Sequence, residues 1–181
     1  GHAEVVGVIG EAPDKIHVIE SPADVAKLSF TENDKLASIT QTTLSIDDCK
    51  IVIDALKERY PHIEQPKKSD ICYATTTRQH AIKTISEEAD IIIVVGSSNS
   101  SNSNRLREVA ENKGKPAYLV NCPQDLKSEW FKGHEKVGIT AGASTPEDIV
   151  QGVISWLKEN FDVNGERDVV TIKEDEIFSL P

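Results

Sequence analysis

Asp90-Ile91-Ile92-Ile93-Val94-Val95-Gly96-Ser97-Ser98-Asn99-Ser100-Ser101-Asn102-Ser103-Asn104-Arg105-Leu106 is the stretch on which the fold turns. Its unbroken β-branched run, residues 91–95, reads as a strand buried on both faces. Leu106, Val109 and Ala110 then recur at helical spacing, so an amphipathic helix follows. A strand passed through a polar loop into a helix is the repeating unit of a parallel α/β sheet.

The same alternation extends in both directions. Runs at residues 15–19, 36–40, 116–120 and 136–140 predict further strands. Cys49, Val52, Ile53, Leu56 and Tyr60 mark one helix between them. Ile82, Ile85 and Ala89 mark another, and Ile149, Val153, Trp156 and Leu157 a third. Ser21-Pro22-Ala23-Asp24, Ser45-Ile46-Asp47-Asp48 and Thr145-Pro146-Glu147-Asp148 have the look of helix starts, with a hydroxyl before an acidic first turn. The Pro- and Lys-bearing residues 61–69 predict a linker with one α/β unit on each side. Past Asn160 the pattern lapses into a tail, with a strand-like end at 169–172. The fold class expected is α/β with parallel sheets.

Composition narrows the function. Twenty Lys+Arg against 30 Asp+Glu leave a formal charge of −10. That argues against generic binding to nucleic acid or anionic membrane, both of which need a basic surface. The longest apolar run, 91–95, is far short of the roughly 18 residues a membrane helix requires. No signal-peptide pattern opens the chain, which reads as cytoplasmic. There is no Met and the first residue is Gly1, so a processed product or a piece of something longer is expected. The three cysteines, Cys49, Cys72 and Cys122, are odd in number and widely spaced, unlike a disulfide framework. Without CxxC or HxxxH spacing, no self-contained zinc site is expected.

Ligands of parallel sheets bind beyond the carboxyl ends of the strands, where helices begin. Here those positions carry hydroxyls and amides: residues 41–45, 72–77, 96–104 and 141–144. Such loops suit a phosphorylated small molecule, because helix N-termini offer N–H groups and partial positive charge. All four lack Lys, and neither GxxxxGK[ST] nor GxGxxG is present, so the P-loop and dinucleotide readings fall away. Arg78 and Arg105 are the nearby cations. The plainer alternatives stay open. Ser144 or Thr145 alone is an ordinary helix cap, and residues 97–104 have the composition of a flexible linker. Their position between a buried strand and a helix favours function. Cys49 shares an apolar stripe and reads as a core thiol. Cys72 has a better claim to function than Cys122, since threonines flank it. The histidines read as solvated by default, and His17 falls in an expected strand.

Several strings together resemble one family. They are Gly1-His2-Ala3-Glu4-Val5, Thr40-Gln41-Thr42-Thr43-Leu44-Ser45, Asp70-Ile71-Cys72-Tyr73-Ala74-Thr75-Thr76, the loop from Val95 to Leu106, and Gly138-Ile139-Thr140-Ala141-Gly142-Ala143-Ser144. The chain is similar, over essentially its whole length, to the 4-hydroxy-3-methylbut-2-enyl diphosphate reductases, which catalyse the last step of the non-mevalonate isoprenoid pathway. The resemblance implies three similar α/β domains around a [4Fe-4S] cluster held by three cysteines, one from each. On that pattern residues 1–68 are a second domain lacking its opening helix and strand, 69–160 a third, and 161–181 a C-terminal tail. Cys72 falls on the third cluster ligand. Glu4 falls on the acid that relays protons, His2 on a histidine near the diphosphate, and Thr42 on the threonine beside the substrate hydroxyl. Ser100, Ser101, Asn102 and Ser144 fall on the diphosphate cradle.

The implied reaction is reductive removal of an allylic hydroxyl to give isopentenyl and dimethylallyl diphosphates, with a ferredoxin or flavodoxin as electron donor. A plant or algal source would imply a plastid. The family's first domain has no counterpart in the sequence, and with it go two cluster cysteines and two further histidines. Cys49 and Cys122 do not fall on ligand positions. The chain alone is therefore expected to hold no stable cluster and to be inactive, and its tail to be poorly ordered. The competing reading is a non-redox module for a phosphosugar or similar anion. A third is a fragment that completes a site only with a separately supplied first domain. On the first reading the hydroxyl-rich turns and Cys72 are expected to converge on one pocket.

Overall fold

The structure is a computed structural model that describes residues 2–67 and 69–170. The chain divides between Cys72 and Tyr73 into two compact units.

The second unit realises the strand reading. Ile91–Val95 forms β1, Ala117–Val120 β2 and Val137–Ala141 β3. They make one parallel sheet in the order β2-β1-β3, with Ile93 opposite Tyr118 on one side and Ile139 on the other. Every residue of β1 is fully buried. The strand pleat sends its side chains alternately to two cores. Ile91, Ile93 and Val95 meet Val153 and Leu157 of the helix Glu147–Asn160, together with Leu126 and Phe131. Ile92 and Val94 meet Ile82 of the helix Tyr73–Glu88, and Leu106, Val109 and Ala110 of the helix Ser101–Asn112. This is a three-layer arrangement. Each buried Ile or Val of β1 contributes about 1.5–3 kcal/mol relative to exposure, so the central strand is the energetic keel of the unit.

In chain order the helices are α1 (Ala3–Glu11), α2 (Pro22–Val25), α3 (Ile46–Arg59), α4 (Tyr73–Glu88), α5 (Ser101–Asn112) and α6 (Glu147–Asn160). The expected start at Ser45 is observed: its hydroxyl accepts the Asp48 N–H at 3.2 Å, capping α3. At Ser21 the hydroxyl instead donates to the Asp24 carboxylate at 2.8 Å. Lys27 and then Ser21 hold that carboxyl down at about 2. At α6, Pro146 takes the capping position, and the Thr145 hydroxyl turns away to donate to the Val95 carbonyl at 2.9 Å.

The first unit departs from the strand reading. Val25, Leu56 and Tyr60 form its buried centre, with Ile19, Leu28, Phe30, Leu36 and Ile63 packed around them. Residues 15–19 form no strand, and residues 36–40 contribute one isolated bridge, Ala37 to Glu64. Two backbone bonds frame it: Ser38 N–H to Glu64 O at 3.0 Å, and Glu64 N–H to Leu36 O at 2.8 Å. The β-branched composition predicts buried strands at both segments, but a ladder needs a second row of donors and acceptors, which neither has beyond that bridge. Val18 and Ile39 stand 48% and 65% exposed, while Ile19 and Leu36 are half-buried, so the full burial expected of those strands is not reached. Residues 70–71 form no strand either; Cys72 lies directly ahead of α4.

Beyond α6, residues 162–170 carry no regular secondary structure. Arg167 is ion-paired with Glu88 and Lys158 with Glu166. The strand-like end expected at 169–172 runs past the described residues. Among the described residues no helix is long and apolar enough to cross a membrane.

Candidate functional site

Each unit carries one group of the residues singled out above. In the first, the chain enters α1 through His2, whose Nδ1 accepts the Glu4 N–H at 3.2 Å. That bond caps the helix and requires Nδ1 to be unprotonated. Glu4 thereby occupies the first turn of α1, where the helix dipole favours a carboxylate. Its two oxygens receive the Thr42 N–H at 3.1 Å and the Thr42 hydroxyl at 3.3 Å. The two residues are separated by 38 positions, so no local rule brings them together. Thr42 in turn accepts the Cys72 N–H on its carbonyl at 3.0 Å. Two residues earlier, the Thr40 N–H donates to the Asp70 carboxylate at 2.8 Å. The loop carrying Thr42 is thus fastened at Thr40 and at Thr42 to the segment carrying Cys72. Thr42 and the Cys72 thiol are exposed, and Glu4 is half-buried.

Chemically, this is a donor–acceptor chain with a free end. A hydroxyl can donate to the carboxylate and still accept from a third group. If Glu4 is protonated, the direction reverses, and Thr42 can pass a proton outward. Asp70 was missed in the sequence reading; an acid before Ile71 carries no pattern of its own.

In the second unit, residues 97–100 are a built loop and 101–104 the first turn of α5, rather than a linker. Ser97 Oγ accepts the Asn99 N–H at 3.1 Å. Ser100 Oγ accepts the Ser103 N–H at 3.3 Å, so Ser100 is the N-cap of α5. Asn104 Nδ2 donates to the carbonyls of Ser98 at 2.7 Å and Ser100 at 3.0 Å. Ser100 and Ser101 are half-buried. Asn102 is only 7% exposed, and neither its amide nitrogen nor its oxygen has a hydrogen-bond partner. A buried, unpaired amide costs about 1–3 kcal/mol, which a native fold tolerates where a ligand or water completes it. Ser144 stands exposed in the turn that Thr145 N–H closes onto Gly142 O at 3.0 Å. Glycines Gly96 and Gly142 of these two loops both abut Ser103 of α5, which makes the strand ends and the helix start one surface. Ser100 is an ordinary N-cap of α5, while Asn102 has no structural job to account for it.

The three cysteines are free and differ in setting. Cys49 is buried on α3, as its place in the apolar stripe implies, and Cys122 is half-buried. Asn121 and Cys122 both donate their N–H groups to Asp125, which caps the short turn Pro123–Asp125. Among the described residues no group of three or more His, Cys, Asp or Glu could hold a metal ion. A [4Fe-4S] cluster takes a set of cysteine thiolates, and this chain brings one exposed candidate, Cys72. The donor set present does not fit a cluster by itself.

Comparison with known proteins gives a consistent picture. The family model described as LytB protein matches residues 1–158. A 4-hydroxy-3-methylbut-2-enyl diphosphate reductase from Rhodopirellula baltica is 54% identical over 181 residues, all of this chain and 56% of that protein. One from Azoarcus sp. is 54% identical over 87% of this chain and 51% of its own length. Among solved structures, the E-1-hydroxy-2-methyl-but-2-enyl-4-diphosphate reductase from Plasmodium falciparum superposes with a TM-score of 0.84 at 44% identity, covering 87% of this chain and 50% of that one. The chain spans about half the length of the curated relatives it matches.

Proposed function

We propose that this chain, which belongs to the LytB protein family, supplies the diphosphate-gripping and proton-delivering part of a 4-hydroxy-3-methylbut-2-enyl diphosphate reductase. The observation that carries the reading is the buried Asn102 amide, without a partner at the start of α5. An anion set there would satisfy it. The helix dipole, with Ser100, Ser101 and Ser144, would supply the remaining attraction. The attraction has to be local, because the chain as a whole is acidic, at −10.

Glu4 and Thr42 would serve proton delivery to an allylic hydroxyl. Hydroxide leaves poorly, so a proton must reach the departing oxygen. Thr42 is exposed and doubly bonded to Glu4, which suits a relay from carboxyl to hydroxyl to substrate. His2 fixes the start of α1 and so the position of Glu4. Cys72 would be this chain's single thiolate toward a [4Fe-4S] cluster, which when bound supplies the electrons and a Lewis acid. The remaining ligands would come from the rest of the reductase, and the electrons from a separate ferredoxin- or flavodoxin-type donor.

Titration of the 181-residue chain with inorganic pyrophosphate, followed by calorimetry, tests the grip. Saturable binding is expected, weakened about 10- to 100-fold by Asn102→Ala, the loss of a hydrogen bond to a charged group. Absence of saturable binding by both pyrophosphate and an allylic diphosphate overturns the reading.

A further inference from the structure

We propose that Gly96, Gly142 and Ser103 form a steric slot and plug that sets how deeply the start of α5 seats between the ends of β1 and β3, and that Ser103 is a positioning residue for the anion grip. The proposal rests on the diphosphate reading above and adds to it a residue that never touches the ligand. Ser103 is 1% exposed, and its hydroxyl is buried with no partner. A Cβ added at Gly96 would lie 2.3 Å from Ser103 Oγ and 3.0 Å from Ser103 Cβ. One added at Gly142 would lie 2.2 Å from the same Oγ but 3.5 Å from Ser103 Cβ. Both positions are also 3.2 Å from Thr145 Oγ1, which is held on the Val95 carbonyl.

The three backbones therefore approach around one hydroxymethyl group. Neither glycine has the positive φ that would itself demand glycine, so the constraint is space. Gly96 N–H bonds to Val120 O at 2.8 Å and Gly142 N–H to Val95 O at 2.9 Å, which anchors both walls to the sheet. Ser103 follows Asn102 directly, and the Gly142 wall leads into the turn bearing Ser144. Seating the plug fixes the height of both.

The distances make unequal predictions. In Gly142→Ala the severe clash is with the Ser103 hydroxyl and the contact with Thr145 Oγ1 is milder, so it is expected to weaken pyrophosphate binding tenfold or more, and Ser103→Ala in the same chain is expected to restore most of it. Gly96→Ala clashes with Cβ as well, so Ser103→Ala should restore it only in part. These variants are compared in the 181-residue chain by pyrophosphate calorimetry alongside thermal unfolding. A purely structural contact would shift the unfolding midpoint and leave affinity untouched, which overturns the positioning role. So would wild-type affinity in Gly142→Ala, or no rescue in Gly142→Ala/Ser103→Ala. Ser103→Ala alone empties the slot and is expected to weaken binding severalfold, and unchanged affinity in that variant would overturn the positioning role. If the unmodified chain does not bind pyrophosphate, the diphosphate reading itself fails, a result distinct from each of these.

Discussion

At the scale of single residues, Glu4 and Thr42 share one bond pattern that assigns different consequences to different substitutions. Gln at position 4 keeps one oxygen for Thr42 but cannot carry a proton. In a full-length reductase containing this sequence, Glu4→Gln is expected to lower kcat about 10²- to 10⁴-fold, the range for losing a positioned proton donor. Pyrophosphate affinity should change less than twofold, because the grip lies on other residues. Thr42→Ser keeps the hydroxyl and should retain most activity, while Thr42→Val should fall with Glu4→Gln. Steady-state kinetics with pyrophosphate as a competing ligand separates the two effects.

At the scale of elements, the junction of β1 and β3 is fastened by a carboxylate. Asp90 Oδ2 accepts the N–H groups of Glu135 and Lys136, each at 2.9 Å, and these bonds hold its pKa below the ordinary carboxylate value. A carboxyl whose folded pKa is depressed stabilises the fold above its unfolded pKa and loses that contribution as pH falls through the folded one. The difference in unfolding midpoint between the native chain and Asp90→Asn is therefore expected to be full near neutral pH. It should shrink below about pH 4 as Asp90 protonates; thermal unfolding across that range measures it. The α3 cap gives a second element-scale test. Ser45 is buried and accepts the Asp48 N–H, so Ser45→Ala should cost about 1 kcal/mol in denaturant unfolding.

The elements also show where sequence reading reaches and where it stops. Helices α3 to α6 and strands β1 to β3 were legible, because apolar spacing and caps are properties of neighbouring residues. Helix α1 was not foreseen, since none of its residues is buried and so its apolar stripe has no matching core. Residues 15–19 and 36–40 had strand composition but lacked a paired ladder, and composition carries no information about partners.

For the molecule as a whole, the cysteine inventory makes the sharpest prediction. With one exposed thiol at Cys72 and no metal-binding group of three among the described residues, anaerobic iron–sulfide reconstitution of this chain by itself should leave no stable visible absorption. About four irons per chain in a lasting brown species would contradict the assignment of Cys72 as a lone ligand. Addition of the portion of a relative that this chain does not span, followed by the same reconstitution, should bring both absorption and reductase activity.

The sequence by itself determined that residues 91–95 are a buried strand, that α5 follows, and that the loop between them is dense in neutral donors; each follows from composition and spacing along a short stretch. Only the tertiary structure decided that Glu4 meets Thr42, that Asp70 pins the loop beside Cys72, and that Gly96 and Gly142 close around Ser103. These contacts join residues far apart in the chain, and the spacing of side chains along a helix or strand says nothing about which distant backbone will be brought against them once the cores have packed.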